Sequence, residues 1–178
     1  MKTTAETKSK NQIFIAVEKL KSFGILLTKK FGLEESDAEI LIDNLIDANL
    51  NGIDTHGLTR LSIYLKRIKL GLIKSNPSIQ FIQKFPLAAV LDADNGLGQV
   101  AGVKAVKKAI ELAKTYGLGA VAVRNSQHFG SLAYYCNIAA ENDMICLAFT
   151  NAEPAMPAWG SYEAYFGTNP IAMGIRLT

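Results

Sequence analysis

The sequence contains few of the side chains that most often hold metals. Its 178 residues include two histidines and two cysteines. Cys136 and Cys146 stand ten residues apart, without the CxxC spacing or the neighbouring histidines that a zinc site requires. No metal site is therefore predicted. The two cysteines are interpreted as buried thiols in a reducing cytoplasm.

Long apolar runs and a strong net charge are also missing. No stretch approaches the roughly eighteen apolar residues of a membrane span. The polar start predicts a flexible leader over residues 1–10 rather than a secretory signal. A net charge of +3, evenly spread, is too small to indicate nucleic-acid binding but suits an enzyme that attracts small anions. We expect a cytoplasmic globular protein with neither a nucleic-acid nor a membrane partner.

Helical periodicity dominates the first part of the chain. Apolar residues at helical spacing predict helices over residues 11–30 and 35–49. A third helix is predicted over residues 57–72, because leucines and an isoleucine recur at steps of three and four. Asn51 and Gly52 should end the second helix.

After Pro77 the pattern changes to short β-like runs separated by helices. Strands are predicted at residues 79–83, 87–93, 119–124 and 144–150, and helices at 98–116 and within 131–142. The predicted fold class is α/β, with a helical N-terminal segment over residues 11–76 and an α/β segment over residues 77–178.

The third predicted helix carries the first of the two histidines. With 3.6 residues per turn, four positions share one side of this helix. They form a polar stripe of His56, Arg60, Tyr64 and Arg67.

This polar stripe could either bind a ligand or be the solvated face of the helix. An N-cap at Asp54 or Thr55 would place His56 in the first turn, near the positive end of the helix dipole. An arginine fork at Arg60 can hold a carboxylate, and a histidine can exchange a proton near neutral pH. Together they could bind a 2-oxo acid and protonate its carbonyl oxygen. The alternative is an ordinary solvated face of an amphipathic helix.

The second histidine, His128, lies between a predicted strand and a predicted helix. Ligands bind near the ends of strands in α/β folds. Residues 125–127 and Ser131 supply polar groups beside it, and Gly130 permits close approach of a ligand or another backbone. A histidine that merely completes a strand–helix loop is the alternative.

Three glycines could be mistaken for a dinucleotide-binding turn. Gly96, Gly98 and Gly102 follow a strand-like run and precede a helix, but their spacing departs from G-x-G-x-x-G. Asp92 and Asp94 stand just before them and would repel a pyrophosphate. We therefore favour a tight turn and a helix start over a phosphate-binding loop.

Several motifs together resemble the type-2 malate/L-lactate dehydrogenase family. They are GIDTHGLTRL, DNGLGQ, AVAVRNSQHFG, YY, TNAEPAMPAWG and FGTNPIA. The family includes ureidoglycolate, sulfolactate and diketogulonate oxidoreductases and cyclic-imine reductases. The resemblance implies a NAD(P)-dependent enzyme, usually a homodimer, that interconverts a 2-hydroxy acid and a 2-oxo acid. It also implies a nucleotide-binding fold that is not a standard Rossmann domain.

The resemblance assigns roles on the substrate side. His56 in DTHG matches the catalytic acid/base, and Thr55 the hydroxyl residue beside it. Arg60 matches the arginine that holds the substrate carboxylate, and Tyr64 is taken as a further substrate contact. Thr168 in GTNP matches a substrate-contacting threonine.

On the cofactor side, the segment HFGSL matches one that touches the nicotinamide. In some members of the family its histidine is the catalytic one. The implied cofactor contacts are His128, Phe129, Gly130, Ser131 and Leu132.

The chain also differs from the family. Members are roughly twice as long, and the resemblance implies that their second half carries an aspartate partner for the histidine and further cofactor-binding loops. Ser161 stands where the family usually has a second glycine after the tryptophan. Two hypotheses result: an active NAD- or NADP-dependent oxidoreductase, or a truncated, non-catalytic remnant that cannot hold the cofactor alone.

Overall fold

The computed structural model describes residues 14–176. The predicted leader over residues 1–10 lies outside this range. Within it no helix is both long and apolar enough to cross a membrane. The helices are α1 (Val17–Lys29), α2 (Glu35–Leu50), α3 (Leu61–Lys69), α4 (Gly98–Tyr116) and α5 (Leu132–Ala140). The strands are β1 (Gln80–Phe85), β2 (Ala88–Asp92), β3 (Ala120–Arg124), β4 (Cys146–Phe149), β5 (Met156–Pro157), β6 (Ala164–Phe166) and β7 (Ile171–Gly174).

The strands form three small sheets. In the first, β1 pairs antiparallel with β2, and β2 pairs parallel with β3 after the crossover through α4. The other two sheets are the antiparallel pairs β4–β7 and β5–β6, and the β5–β6 pair was not predicted. No extended parallel sheet forms among residues 14–176. The α/β prediction is confirmed, and the described part lacks the doubly wound sheet of a Rossmann domain.

The prediction of one continuous helix over residues 57–72 is wrong at its start. Two separate 3₁₀ turns, Asp54–His56 and Leu58–Arg60, precede α3. Gly57 between them has extended backbone, and the Leu58 N–H donates to Asn49 Oδ1 at 2.9 Å. Because a side chain of α2 takes this N–H, the helix cannot extend back to His56.

The predicted N-cap is also wrong. Neither Asp54 nor Thr55 caps a helix through its side chain. Instead, Asn49 Nδ2 donates to Asp54 Oδ1 at 2.5 Å, and Thr55 Oγ1 contacts the neighbouring His56 ring. His56 is therefore held in a turn that is tied to α2, and not in the first turn of an α-helix.

The main core joins α2 to the elements on both sides of residue 77. Its buried members come mainly from α2, α3 and the start of α4, with a few from the adjoining loops. Their burial stabilises the fold by about 25 cal/mol for each Å² of apolar surface removed from water. They include Leu41, Ile42, Leu45, Tyr64, Leu65, Leu97 and Val100. The division into two domains at this point stays a prediction, since the core crosses it.

The glycine-rich turn before α4 is a packing device. Gly98 faces the backbone carbonyls of Gln127 and His128 so closely that a Cβ there would collide with them. Gly102 faces the Tyr135 ring, and a Cβ would lie 2.5 Å from Cε1. This confirms a tight turn followed by a helix start, because both glycines are needed for close packing.

The two cysteines are free and differ in environment. Cys136 is buried on α5, whereas Cys146 is only half-buried, so the prediction of two buried thiols holds for the first alone. Burial, with a smaller contribution from Cys146, raises the pKa of Cys136 to about 11. Among the residues that the structure describes, no three histidine, cysteine or acidic side chains form a metal-binding group.

Truncating the core of α2 should destabilise the chain far more than truncating its exposed end. Leu45 is fully buried and Leu50 is 69% exposed on the same helix. Leu45→Ala should lower the free energy of unfolding by about 2–5 kcal/mol, because it leaves a cavity. Leu50→Ala, the matched control, should change it by no more than about 0.5 kcal/mol. Urea unfolding measures both, and equal losses would contradict the assignment of this core.

Candidate active site

Asn49 at the end of α2 organises the turn that carries His56. Its Oδ1 accepts from the Leu58 N–H, and its Nδ2 donates to Asp54. Thr59 Oγ1 also donates to the Asp54 carbonyl at 2.8 Å. These hydrogen bonds cross-link the turn, so His56 is presented from a constrained backbone. Sequence reasoning missed Asn49, which was interpreted only as the helix end.

Arg60 is anchored at one end of its guanidinium. Its Nε donates to the Thr55 carbonyl at 2.7 Å. Within residues 14–176 no carboxylate forms an ion pair with Arg60. The two Nη groups therefore remain available to a ligand, in a side chain that is half-buried and oriented.

The second histidine lies against the first. The ring centroids of His56 and His128 are 5.4 Å apart, with an interplanar angle of 28°. Tyr64 reaches the same place from α3, and its hydroxyl oxygen lies 2.7 Å from His128 Nδ1. The structure thus brings together four of the predicted site residues: His56, Arg60, Tyr64 and His128.

Tyr64 does not lie on a solvated face. It is 2% exposed and belongs to the main core, with its hydroxyl directed to His128. The interpretation of the stripe as ordinary wet surface is therefore wrong for this residue. Arg67 is half-buried, and its Nη1 donates to Gln127 Oε1 at 3.4 Å.

The loop that carries His128 is fastened to the turn after β2. Asn125 has a left-handed backbone with φ of 50°, and its amide donates to both carboxylate oxygens of Asp92 at 3.0 and 3.1 Å. Gln127 Nε2 donates to Asn95 Oδ1 at 3.1 Å. The Asn125 and Arg124 side chains and the Asp94 N–H hold the Asp92 pKa below its usual range. Asp92 thus positions the loop instead of merely repelling phosphate.

The pKa values of both histidines are lowered. For His128, partial burial and then the charges of His56, Arg60 and Arg67 lower the pKa to about 4. For His56, partial burial and the Arg60 charge lower the pKa from 6.5. The site is therefore cationic from its arginines, and its imidazoles favour the neutral form.

Beneath the histidines lie buried amides that the sequence did not single out. Gln99 and Asn44 are both fully buried. Gln99 Nε2 and Oε1 and Asn44 Oδ1 have no hydrogen-bond partner among the described residues. The sequence could have indicated these two residues, because each is a polar residue on an otherwise apolar helix face and a buried polar group needs a hydrogen-bond partner.

The predicted cofactor segment forms an irregular stretch before α5. Gly130 has φ of +83° and covers the Asn44 amide, and Leu132 is buried. The Tyr135 hydroxyl donates to the Phe129 carbonyl and holds this stretch. Tyr135 was part of a recognised motif but had no assigned role.

Thr168 is not brought into this group. It is exposed in the loop between β6 and β7, and no hydrogen bond described for residues 14–176 joins it to His56 or His128. Two surface cavities, of about 190 and 420 Å³, also lie elsewhere: residues such as Asp94 and Asn125 line the first, and Glu141 and Arg176 line the second. The candidate site therefore lies at the His56–His128 pair and outside both cavities.

Comparison with known proteins agrees with the motifs. Residues 15–177 match the family profile described as malate/L-lactate dehydrogenase. The chain is 45% identical over 159 residues to L-sulfolactate dehydrogenase of Methanocaldococcus jannaschii, covering 89% of this chain and 46% of that protein. It is 46% identical over 163 residues to malate dehydrogenase of Pyrococcus abyssi, covering 92% of this chain and 45% of that protein.

The solved structures give the same result. The malate dehydrogenase of Pyrococcus horikoshii OT3 superposes with a TM-score of 0.89 at 41% identity, covering 93% of this chain and 47% of that one. The chain thus spans about half the length of the relatives it matches. Since sequence and fold agree over nearly all of its described length, the chain belongs to the malate/L-lactate dehydrogenase family of oxidoreductases.

Proposed function

We propose that this chain is the substrate-side part of a NAD(P)-dependent oxidoreductase that interconverts a 2-hydroxy acid and a 2-oxo acid. The observation that carries the proposal is the stacked His56–His128 pair beside the free Nη groups of Arg60. A small anionic carbonyl compound needs a cation for its carboxylate and a proton donor for its carbonyl oxygen. This cluster supplies both.

Arg60 is the carboxylate-binding residue in this proposal. Its Nε anchor on the Thr55 carbonyl restricts the guanidinium, and its charge acts on both imidazoles. A charge-assisted, forked hydrogen bond from Nη1 and Nη2 would fix a 2-oxo acid with its carbonyl towards the histidines. The specific acid stays open.

His56 is the acid/base in this proposal. In reduction, a hydride adds to the carbonyl carbon and the oxygen takes a proton from the His56 imidazolium; oxidation reverses both transfers. General acid catalysis of this kind contributes about 10²–10⁴-fold. The Thr55 hydroxyl, 3.0 Å from His56 Nδ1, orients the ring.

The nicotinamide cofactor supplies or accepts the hydride when bound. The residues His128–Leu132 suit the nicotinamide end, because this irregular stretch lies beside the His56–His128 pair and Gly130, in a left-handed backbone, permits close approach of a ligand. The glycine turn before α4 does not suit a pyrophosphate, since Gly98 is taken up by packing against the His128 loop and the carboxylates of Asp92 and Asp94 stand just before it. The chain therefore supports contact with one end of NAD or NADP.

A non-catalytic remnant is the second candidate. The chain spans about half of its relatives, and the open face of the β4–β7 sheet exposes apolar side chains. These side chains are Leu147, Phe149, Ile171 and Met173. A cytoplasmic location stays a prediction from the composition, and a homodimer and the substrate contact of Thr168 stay predictions from the resemblance.

Cofactor binding separates the two candidates. The purified chain should quench or enhance the fluorescence of NADH or NADPH in a saturable titration if it holds the nicotinamide end. Gly130→Val should weaken the binding, because a branched side chain strains a left-handed backbone and meets the Asn44 amide. Gly160→Val is the matched control, at another left-handed glycine with open space around it. No saturable signal with either nucleotide favours the remnant.

Loss of the Arg60 fork should act on the substrate carboxylate. Arg60→Ala should lower kcat/KM for a 2-oxo acid by about 10- to 100-fold, the worth of a charged hydrogen bond. The kcat/KM of Arg60→Lys should lie between those of Arg60→Ala and the unchanged chain, because lysine keeps the charge without the forked pair of donors. The corresponding 2-oxo amide should respond much less to either change, since it has no carboxylate. Equal losses for acid and amide would remove Arg60 from this role.

The pH dependence should identify the acid. Because the His56 pKa is lowered below 6.5, its protonated fraction falls as pH rises, and reduction should lose kcat/KM above a midpoint below 6.5. Oxidation needs the neutral imidazole and should gain over the same interval. His56→Gln should abolish this pH dependence of kcat/KM, whereas His128→Gln should keep it. The same pH dependence in His56→Gln would refute the assignment of His56 as the acid.

A further inference from the structure

Tyr64 has a buried hydroxyl between an imidazole and an amide. On one side its oxygen lies 2.7 Å from His128 Nδ1. On the other side the Gln99 side chain lies close enough to lower the Tyr64 pKa, against the larger opposite effect of burial. The sequence predicts Tyr64 as a substrate contact, but its 2% exposure leaves almost no surface for a ligand.

Gln99 is held in place although neither end of its amide is satisfied. It is fully buried in the first turn of α4, directly after the glycine that packs on the His128 loop. Its amide atoms make no hydrogen bond of normal geometry with residues 14–176. An unpaired buried amide costs about 1–3 kcal/mol. Because the Gln99 side chain favours the ionised form of Tyr64, the amide end assigned to the phenol oxygen is the donor Nε2.

Donor and acceptor counting then determines where the protons lie. A tyrosine hydroxyl carries one proton, and a neutral imidazole carries one on either Nδ1 or Nε2. If Gln99 Nε2 donates to the Tyr64 oxygen, that oxygen has a ready donor and directs its own O–H to His128 Nδ1. Nδ1 is then the acceptor, and the imidazole proton lies on Nε2.

We propose that Gln99 and Tyr64 are positioning residues that keep His128 a neutral imidazole protonated on Nε2, through a hydrogen-bond chain from Gln99 Nε2 to Tyr64 and from Tyr64 to His128 Nδ1. His128 then donates a hydrogen bond from Nε2 to the ligand oxygen, while His56 transfers the proton. The ligand-binding part of this role depends on the proposed dehydrogenase function, but the proton position does not.

The surroundings of His128 favour a neutral donor over a second cation. The groups that face it are His56 from the first 3₁₀ turn, Arg60 from the second, and Tyr64 and Arg67 from α3. Three of these are cationic or can become so, and none is a carboxylate. A neutral imidazole can polarise a carbonyl without adding charge, and its tautomer then decides which nitrogen points a proton at the oxygen.

Nitrogen-15 NMR of the two imidazoles tests this without any catalytic readout. The chain has only two histidines, so His56→Gln assigns the His128 signals by elimination. At pH 7 the long-range ¹H–¹⁵N spectrum of the full chain should show His128 Nε2 protonated and Nδ1 unprotonated. A protonated Nδ1 in the unchanged chain would overturn the proposal.

Two variants remove the links one at a time. Tyr64→Phe removes the hydroxyl, and Gln99→Met replaces the amide with an unbranched apolar chain of similar length. Each should shift the His128 tautomer ratio towards Nδ1–H by about 2- to 10-fold, the worth of one hydrogen bond. Tyr134→Phe is the matched control, since Tyr134 is half-buried on α5 and its ring meets Tyr135 edge to face and not a histidine. The His128 tautomer ratio in this variant should stay that of the unchanged chain.

The outcomes are distinct. An unchanged ratio in both Tyr64→Phe and Gln99→Met overturns the chain of hydrogen bonds, and if Tyr64→Phe does not fold, the unchanged chain and Gln99→Met still decide. Failure of NADH and NADPH binding would remove the dehydrogenase function but leave the tautomer result standing. If the enzyme turns over, Gln99→Met should lower kcat more than it raises KM, because it alters a donor without touching the carboxylate site.

Discussion

The apolar face of α2 is buried on several sides at once, and this packing sets the position of both histidines. Leu41, Ile42 and Leu45 are fully buried against α1, α3 and the start of α4. The end of the same helix carries Asn49, which ties down the turn of His56. The start of α4 in turn contacts the His128 loop through Gly98. One hydrophobic core therefore fixes the separation of two loops that are distant in sequence.

Around this core the site is built mainly from amides and hydroxyls. Asn49, Asn125 and Gln127 connect loops through side-chain hydrogen bonds, while Thr55 and Tyr64 each place a hydroxyl at the Nδ1 of one histidine. A side-chain amide donates from its nitrogen and accepts at its oxygen at the same time, so it can fix loop geometry without adding charge. The formal charge near the imidazoles is left to the arginines, which suits an anionic ligand.

The two histidines have different surroundings despite their contact. His56 lies in a turn beside Arg60, whereas His128 contacts a buried phenol and lies near the charges of Arg60 and Arg67. In the proposed function, these different environments separate the tasks of proton transfer and hydrogen-bond donation. Spacing along one helix grouped His56, Arg60 and Tyr64 as the structure does, but it missed that Tyr64 turns inwards and that the backbone at Gly57 breaks the helix.

By itself, the sequence determined the α/β class, the positions of α2 and α4, the motifs of the malate/L-lactate dehydrogenase family and the residues His56, Arg60, Tyr64 and His128 as candidates. Periodicity and turn residues suffice for the fold class and the helices, because they report local preference and burial, whereas the family and the roles of the four residues came from the resemblance of the motifs. Only the tertiary structure decided that the helix begins at Leu61, that the histidines stack, and that Gln99, Asn44 and Asn49 lie beneath or beside them. These depend on side chains from separate elements meeting across a core, and no local pattern records which donor will meet which acceptor.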